Sequence, residues 1–349
     1  PYWWEFNIEP YHHEIETPVC HLGGWFDIFL AGTLKNYTGM KLRNRTEKAR
    51  SRQKLIVGPW NHGPGSIANQ VIGEFDFGPD ASQDFNELRL PWFDHWLKGS
   101  GNGVMDEPPV RLFVMGVNRW RDEADWPLPD TRYANWYLHS GPSGAIDSLN
   151  DGVLSPETPA ATAGPDSFLY DPYDPTPTLG GNCLGLPAGV FDLRPIDTRC
   201  LTYTSAPLSE PLEATGPVRA VLFALSSARD TDWVVRLEDI HPDGYSRQVC
   251  DGILRARYHE SFERPELLEA GKVYRFEVDL WATSNVFLPG HRLRVAVSSS
   301  NFPRYDRNLN TGGPIHREAV GQTAVNTVFH DVLRPSHVIL PLVERGEGR

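Results

Sequence analysis

The sequence predicts a parallel α/β unit followed by a longer all-β region. Residues 18–22 and 54–57 are short apolar runs, and an amphipathic helical pattern over residues 28–42 lies between them. Two strands joined by a crossover helix indicate a parallel βαβ unit. Beyond residue 109, short alternating runs separated by Pro, Gly, Asp and Asn are typical of a sandwich or jelly roll.

Two short motifs follow the predicted strands. Asp27 ends the motif GGWFD, and His62 lies in the motif GPWNHG. Because the carboxyl ends of parallel strands share one edge of a sheet, both side chains are expected there. An acid followed by a histidine is the second half of the chain order Ser, Asp, His found in serine hydrolases. The alternatives are a turn or capping role for Asp27 and a structural role for His62.

Composition narrows the class of protein. The 33 basic and 45 acidic residues give a net charge of 33 − 45 = −12, which argues against nucleic acid as a partner. No apolar run approaches the roughly 18 residues of a membrane helix, so no membrane association is predicted. The four cysteines form no C-x-x-C motif and are expected as buried thiols; a disulfide between Cys183 and Cys200 is the alternative. The pair His12-His13 has no further ligand at metal spacing, and no metal is predicted.

A linker segment rich in Gly and Pro suggests that the chain has two domains. Residues 41–52 are predicted to be a solvated loop, and residues 85–97 an aromatic helix with Pro91 inside it. Asp80 or Ser82 is the expected cap of that helix. The sequence GSGNGVMDEPP that follows is the clearest linker, so the domains are predicted as 1–108 and 109–349.

The second domain is expected to consist of short strands. Residues 140–166, rich in Gly, Pro, Ser, Thr and Ala, are expected to form a surface excursion. The predicted strands cover residues 110–115, 133–138, 167–170, 200–204, 218–226, 233–240, 248–258, 273–280, 291–298 and 336–341.

Several blocks of the chain resemble one known family. GGWFD and GPWNHG are similar to the Asp and His motifs of the CocE/NonD hydrolases, which include cocaine esterase, X-Pro dipeptidyl peptidases and α-amino-acid ester hydrolases. The likeness continues through PWFDHWLKG, VRLFVMGVNRWRDEADWPLP, FLYDPYDPTPTLGG, ATSNVFLPGHRLRVAVSSSNFPRYDRNLNTGG and PSHVILPL. The resemblance implies the C-terminal part of an α/β-hydrolase domain followed by a jelly-roll, galactose-binding-like domain.

The resemblance also implies roles for particular residues. Asp27 would be the triad acid and His62 the triad base, and neither a metal nor an organic cofactor would be required. Phe29 matches an aromatic position of the acyl pocket. The loop 180–189 matches a loop that faces the same pocket, which makes Leu184 and Leu186 candidate substrate contacts. Trp25 and Trp60 flank the two turns, either as packing residues or as substrate contacts.

One departure from the family pattern is important. The family needs a nucleophilic serine in a G-x-S-x-G-like motif before the acid, and this sequence contains no such motif. Ser66, Ser100 and Ser143 lie near glycines, but they follow His62 and lack the strand–turn–helix context. The chain is therefore expected to be the C-terminal piece of a hydrolase whose N-terminal part carries the serine. The chain alone is expected to be inactive, and self-association is left open.

The predicted activity is serine-dependent hydrolysis of a small ester or amide through an acyl-enzyme. An X-Pro dipeptidyl peptidase is the first alternative. The second is a carbohydrate-binding jelly roll with an inert hydrolase remnant, for which Trp120, Trp126 or Trp136 would form an exposed sugar platform. The acyl group, the leaving group and the compartment are left open by the sequence.

Overall fold

The computed structural model describes residues 2–145, 147–160 and 163–344, which form two compact units. The first unit comprises residues 1–130 together with the segment 182–189, and the second comprises residues 131–181 and 190–349. The helices are α1 Tyr2–Phe6, α2 Leu30–Arg43, α3 Glu47–Ser51, α4 Pro64–Ile67, α5 Phe85–Lys98 and α6 Arg194–Asp197, with 3-10 turns at Glu9–Glu14, Pro79–Ala81 and Ala256–Tyr258.

The first unit is built on a four-stranded sheet with the order β1-β2-β5-β6. Strands β1 and β2 pair in parallel, as do β2 and β5, and β6 returns antiparallel to β5. Helix α2 connects β1 to β2 and packs against both, which confirms the predicted βαβ unit. The strands of this unit are β1 Val19–Phe26, β2 Gln53–Asn61, β3 Val71–Ile72, β4 Phe75–Asp76, β5 Val110–Val114 and β6 Arg119–Glu123.

Two local expectations for this unit are wrong. The stretch predicted as a solvated loop, residues 41–52, contains α3, whose Thr46 cap accepts a hydrogen bond from the Ala49 amide. Ala49 is fully buried, so one small apolar residue gives this charged stretch an inward face. Helix α5 is capped by Asp84, which accepts from the amides of Asn86 and Glu87. The cap therefore lies later in the chain than predicted.

The second unit is a large β-structure. Twelve strands of its described part join into one hydrogen-bonded sheet with the main order β13-β12-β15-β10-β8-β7-β18-β11-β16-β17, where β14 also pairs with β11 and β9 with β16. Pairing is antiparallel except between β8 and β10. The strands are β7 Arg132–His139, β8 Gly152–Ser155, β9 Asp166–Tyr170, β10 Leu201–Thr204, β11 Leu212–Ser226, β12 Asp232–Ile240, β13 Ser246–Arg255, β14 Tyr274–Phe287, β15 Arg292–Ser298, β16 Ala324–Asp331, β17 Arg334–Pro335 and β18 His337–Leu342.

All ten strands predicted beyond residue 109 occur, but four others in that part of the chain were missed, namely β6, β8, β16 and the two-residue β17. Strand β8 lies within the stretch predicted as a surface excursion, and its Leu154 is buried in the core. That core also holds Trp233 and Phe276, both fully buried. None of the helices in the described ranges is long and apolar enough to span a membrane. The four cysteines are free thiols; Cys183, Cys200 and Cys250 are buried as predicted, whereas Cys20 is partly exposed.

Candidate active site

The turn after β1 presents a carboxylate in a fixed orientation. The Asp27 amide donates to the Gly24 carbonyl, and the Asp27 carbonyl accepts from the Leu30 amide at the start of α2. The side chain is fixed as well, since Oδ1 accepts from the Phe29 amide at 2.8 Å. A short polar side chain that bonds the backbone two residues on is the usual way to stabilise such a turn. The predicted turn role of Asp27 and its candidate catalytic role are therefore compatible.

The turn after β2 presents the histidine. Gly63 follows His62 with φ of 103°, a backbone conformation that favours glycine. The Ser66 hydroxyl in α4 donates to the carbonyl of Asn61 at 2.7 Å and approaches that of Gly63 at 2.9 Å. Ser66 thus supports the histidine turn, and no hydrogen bond joins its hydroxyl to the His62 ring within the described chain.

Parallel pairing of β1 and β2 brings the two turns together. The His62 Nδ1 atom lies 3.2 Å from each oxygen of the Asp27 carboxylate. The Asp27 side chain is 15% exposed and the His62 side chain 39% exposed. An ionised carboxylate only accepts hydrogen bonds, so Nδ1 carries the ring proton and Nε2 is the basic atom. This arrangement can stabilise an imidazolium and accept a proton from a hydroxyl at Nε2.

The aromatic residues at the turns differ in environment. The Phe29 ring is 57% exposed and packs edge-on against His62 with 5.0 Å between ring centroids. Trp25 and Trp60 are buried, and their indole groups donate to the carbonyls of Phe113 and Ala81, each at 2.7 Å. These two indoles therefore hold the turns in place. A direct substrate contact by either tryptophan stays a prediction.

A cavity of about 160 Å³ lies beside the pair. Its lining includes Gly23 and Gly24 of β1, the polar residues Asp27 and His62, and the apolar residue Trp60. Such a mixture of apolar walls with few polar groups is typical of small-molecule sites.

The sequence-predicted loop contributes to this unit, and with it comes a residue that sequence reasoning missed. Leu184 is 60% exposed and Leu186 is half-buried. Asn182 is buried, and its Nδ2 atom donates to the carbonyls of Trp25 and Asp27, each at 3.0 Å. No local pattern marks this asparagine, because its partners lie more than 150 positions earlier in the chain.

Two histidine groups elsewhere have structural partners. Buried His12 contacts the Asn36 side chain and accepts from the Arg43 guanidinium. In the second unit, ligand-type atoms of Asp239, His241 and His291 lie within 4.8 Å of one another.

In the group of Asp239, His241 and His291, the carboxylate charge is already balanced by an arginine. Ligands of a tetrahedral zinc ion are about 3.3 Å apart, given bonds of about 2.0–2.1 Å. The Asp239 carboxylate binds the Arg247 guanidinium at 2.7 Å and the His291 ring at 2.8 Å. Because Arg247 supplies the positive charge that a buried carboxylate needs, we assign no metal role to this group.

The proposed sugar platform is not supported by the tryptophans themselves. Trp126 and Trp136 are buried, and the half-buried Trp120 donates its indole N–H to the Asp80 carbonyl. The expectation of three exposed tryptophans is therefore wrong.

Comparison with known proteins places the chain in one class, the hydrolases that combine an α/β-hydrolase-like domain with a large C-terminal β domain. Residues 102–339 match the X-Pro dipeptidyl-peptidase C-terminal non-catalytic domain, and residues 1–64 match the X-Pro dipeptidyl-peptidase (S15) family. The chain is 44% identical over 339 residues to cocaine esterase from Rhodococcus sp., covering 95% of this chain and 57% of that protein. The chain belongs to the CocE/NonD and X-Pro dipeptidyl-peptidase group of hydrolases.

Solved structures support the same assignment. An aminopeptidase from a marine-sediment Thaumarchaeota archaeon superimposes with a TM-score of 0.86 at 28% identity, covering 98% of this chain and 58% of that one. An α-amino acid ester hydrolase gives a TM-score of 0.82 at 29% identity with the same coverage. This chain therefore spans somewhat more than half the length of the relatives it matches.

Proposed function

We propose that this chain is the His- and Asp-bearing part of a serine hydrolase that cleaves small esters or amides through an acyl-enzyme. The observation that carries the proposal is the contact of His62 Nδ1 with both oxygens of Asp27 at the ends of adjacent parallel strands. The 44% identity to cocaine esterase supports the class of reaction. The His62 side chain is 39% exposed and lines the adjoining cavity, which gives a substrate carbonyl access to the base.

The proposed steps follow the acyl-transfer logic of a triad. A serine hydroxyl attacks the carbonyl carbon while His62 Nε2 accepts its proton, and Asp27 stabilises the imidazolium. The imidazolium then returns the proton to the leaving group. In the second half, His62 removes a proton from water, which attacks the acyl-enzyme and releases the acid. No metal or organic cofactor takes part.

The nucleophile is proposed to lie outside these 349 residues. No G-x-S-x-G motif occurs in the sequence, and cocaine esterase is longer than the matched region. Ser66 donates its hydroxyl to backbone carbonyls, and the Ser143 hydroxyl donates to Asp151 at 2.6 Å. Both hydroxyls donate to acceptors nearby in the chain. We therefore propose an N-terminal part of the same enzyme as the partner that supplies the serine.

The β-structure of the second unit is proposed to be a jelly roll of the galactose-binding-like type. Its mainly antiparallel pairing and the match to the dipeptidyl-peptidase C-terminal domain support this topology. The division into domains 1–108 and 109–349 stays a prediction. Self-association stays a prediction.

An X-Pro dipeptidyl peptidase is the second candidate function, favoured by the two family matches. A peptidase of this kind must bind a free substrate amino terminus, whereas an esterase needs an apolar acyl pocket. The exposed Phe29 ring beside His62 favours the esterase. The two candidate functions are separated by comparing how fast the complete enzyme hydrolyses aryl esters and Xaa-Pro-anilides. Hydrolysis confined to the anilides would contradict the esterase assignment.

Labelling with a fluorophosphonate, which phosphonylates activated serines, tests the proposal. Intact mass and peptide mapping of the native preparation are expected to place the label on a serine outside the 349 residues. Labelling should be lost in H62Q. A label on Ser66, Ser100 or Ser143 would overturn the placement of the nucleophile. Absence of labelling in a preparation that contains the complete enzyme would overturn the proposed function.

A further inference from the structure

We propose that Asn182 is a positioning residue for Asp27, an inference that rests on the proposed function. The residue does not contact the His62 ring or the proposed substrate carbonyl. It acts on the backbone of the acid turn, and through that backbone on the direction of the Asp27 carboxylate.

Geometry supports a specific clamp. A primary amide carries two N–H donors on one nitrogen, and the two carbonyls that Asn182 reaches, Trp25 O and Asp27 O, are each 3.0 Å from that nitrogen. Trp25 is the next-to-last residue of β1, and Asp27 is the first residue beyond it. The amide therefore bridges the end of the strand and the acid turn. Asn182 is 3% exposed, so water does not replace these bonds readily.

The segment that carries Asn182 is held at its other end as well. Residues 182–189 belong to the first unit. A Cβ atom at Gly189 would lie 2.7 Å from the Ile72 side chain and 2.8 Å from the Gly73 amide nitrogen. Gly189 also has φ of 98°, so glycine is required there by both space and conformation. With Asn182 at one end and Gly189 at the other, the segment is fixed to the turns of this unit.

The clamp matters because the contact between Asp27 and His62 tolerates little displacement. Both oxygens of Asp27 lie at 3.2 Å from His62 Nδ1, near the long end of a productive hydrogen bond. A displacement of about 1 Å at such a site can reduce turnover about 100-fold. Without Asn182, the Asp27 carbonyl keeps only the Leu30 amide as a hydrogen-bond donor, and the end of β1 is no longer bridged to the acid turn by a side chain.

The test uses the tautomer of His62, which reports on the Asp27 contact without requiring catalysis. Imidazole ¹⁵N shifts are recorded for the chain at a pH where the ring is neutral, with the His62 signals assigned from the spectrum of H62Q. We expect the Nδ1–H form to dominate in the wild type. In N182A the ratio of the Nδ1–H to the Nε2–H form should fall about tenfold, as for the loss of one hydrogen bond to a charged group.

Two further variants keep the result interpretable. N182D has the same shape without amide donors, and it should lower the tautomer ratio even if N182A does not fold. N44A removes a second buried asparagine of the same unit, 1% exposed, and should leave the His62 tautomer unchanged whatever it does to stability. A wild-type tautomer ratio in both folded Asn182 variants, or an equal fall in N44A, would overturn the clamp.

The clamp and the proposed function fail in different ways. In the complete enzyme, N182A is expected to lower kcat about 10- to 100-fold with little change in KM. If fluorophosphonate labelling is absent in the wild type while the tautomer responds to N182A, the function is wrong and the clamp stands. If labelling and turnover are normal in the wild type and the tautomer ignores Asn182, only the clamp is wrong.

Discussion

Gly24 and Trp60 approach each other so closely that no side chain fits at position 24. A Cβ atom there would lie 2.2 Å from the Trp60 carbonyl oxygen and 2.7 Å from its carbonyl carbon. The register of β1 against β2 shifts at this point, between Gly24 and Phe26. Since β1 ends next to Asp27 and β2 ends next to His62, this contact sets how far apart the two turns lie.

We expect G24A to destabilise the first unit by about 3 kcal/mol, because the clash is with backbone and cannot be relieved by a rotamer change. G23A is the matched control: its Cβ would be 3.3 Å from the Thr33 methyl, a contact that a side chain can adjust. Chemical denaturation of both variants measures the difference. Equal stability of the two would show that the strands separate at no cost.

Replacement of Asp27 by asparagine keeps the shape of the side chain and removes its charge. D27N in the complete enzyme should lower kcat for an aryl ester by about 10⁴, because the imidazolium loses its partner and the tautomer is no longer fixed. D94N, which removes the exposed partner of Lys98 on α5, should change kcat less than twofold. A D27N enzyme with more than a tenth of normal turnover would contradict the assignment of Asp27 as the triad acid.

The exposed Phe29 ring is predicted to act on substrate affinity and not on stability. F29A retains the main-chain N–H that donates to Asp27, so the acid turn should survive. We expect KM for an aromatic acyl ester to rise about fivefold, with stability changed by less than about 1 kcal/mol. F262A, which removes another exposed phenylalanine, 80% accessible, is the control. An unchanged KM with a large loss of stability would assign Phe29 to packing.

A buried charge cluster in the second unit should make stability depend on pH. Glu238 accepts hydrogen bonds from Arg236 and Ser246, and Arg294 donates to Asp197 nearby. Burial, followed by repulsion from the Asp197 carboxylate, raises the pKa of Glu238 to about 8, against 4.5 for an ordinary glutamate. The folded chain therefore holds a proton at Glu238 over a pH range in which the unfolded chain has released it.

The free energy of unfolding should accordingly fall as pH rises from about 4.5 to about 8, because the native state binds more protons there. E238Q removes this contribution and should flatten the curve. Urea denaturation across that range measures it, with E277Q at a half-exposed position as the control. A wild-type curve that does not fall over this pH range, or wild-type and E238Q curves that superimpose, would show that Glu238 is ionised in the folded chain throughout.

The acid and histidine turns could be predicted because they follow from local patterns. Apolar runs, glycine breaks and the rule for parallel strand ends placed Asp27 and His62 on one sheet edge without any long-range information. The missed α3 shows the limit of that approach. Its charged residues indicate a loop, and the single inward Ala49 carries too little apolar surface to reveal a helix face.

Long-range contacts account for the rest of what the sequence did not reveal. Strand β8 is short, and its burial comes from pairing with β7 and β10. The sequence of residues 152–155 does not indicate this pairing. Asn182 is the sharper case, because its hydrogen-bond partners are fixed by how the loop returns to the first unit. Similarly, Trp126 and Trp136 are buried by neighbours distant in the chain. The local sequence does not show those neighbours, so it allowed the prediction of an exposed platform.

The clamp at Asn182 also sets an order of events during synthesis. Asp27 precedes Asn182 by 155 residues, and His62 leaves the ribosome while most of that interval is still untranslated. At about 5–20 residues per second, the acid turn waits on the order of ten seconds for the amide that bridges its carbonyls. A nascent chain thus carries both polar side chains well before their geometry is fixed, and a message truncated ahead of the Asn182 codon would encode them without the clamp.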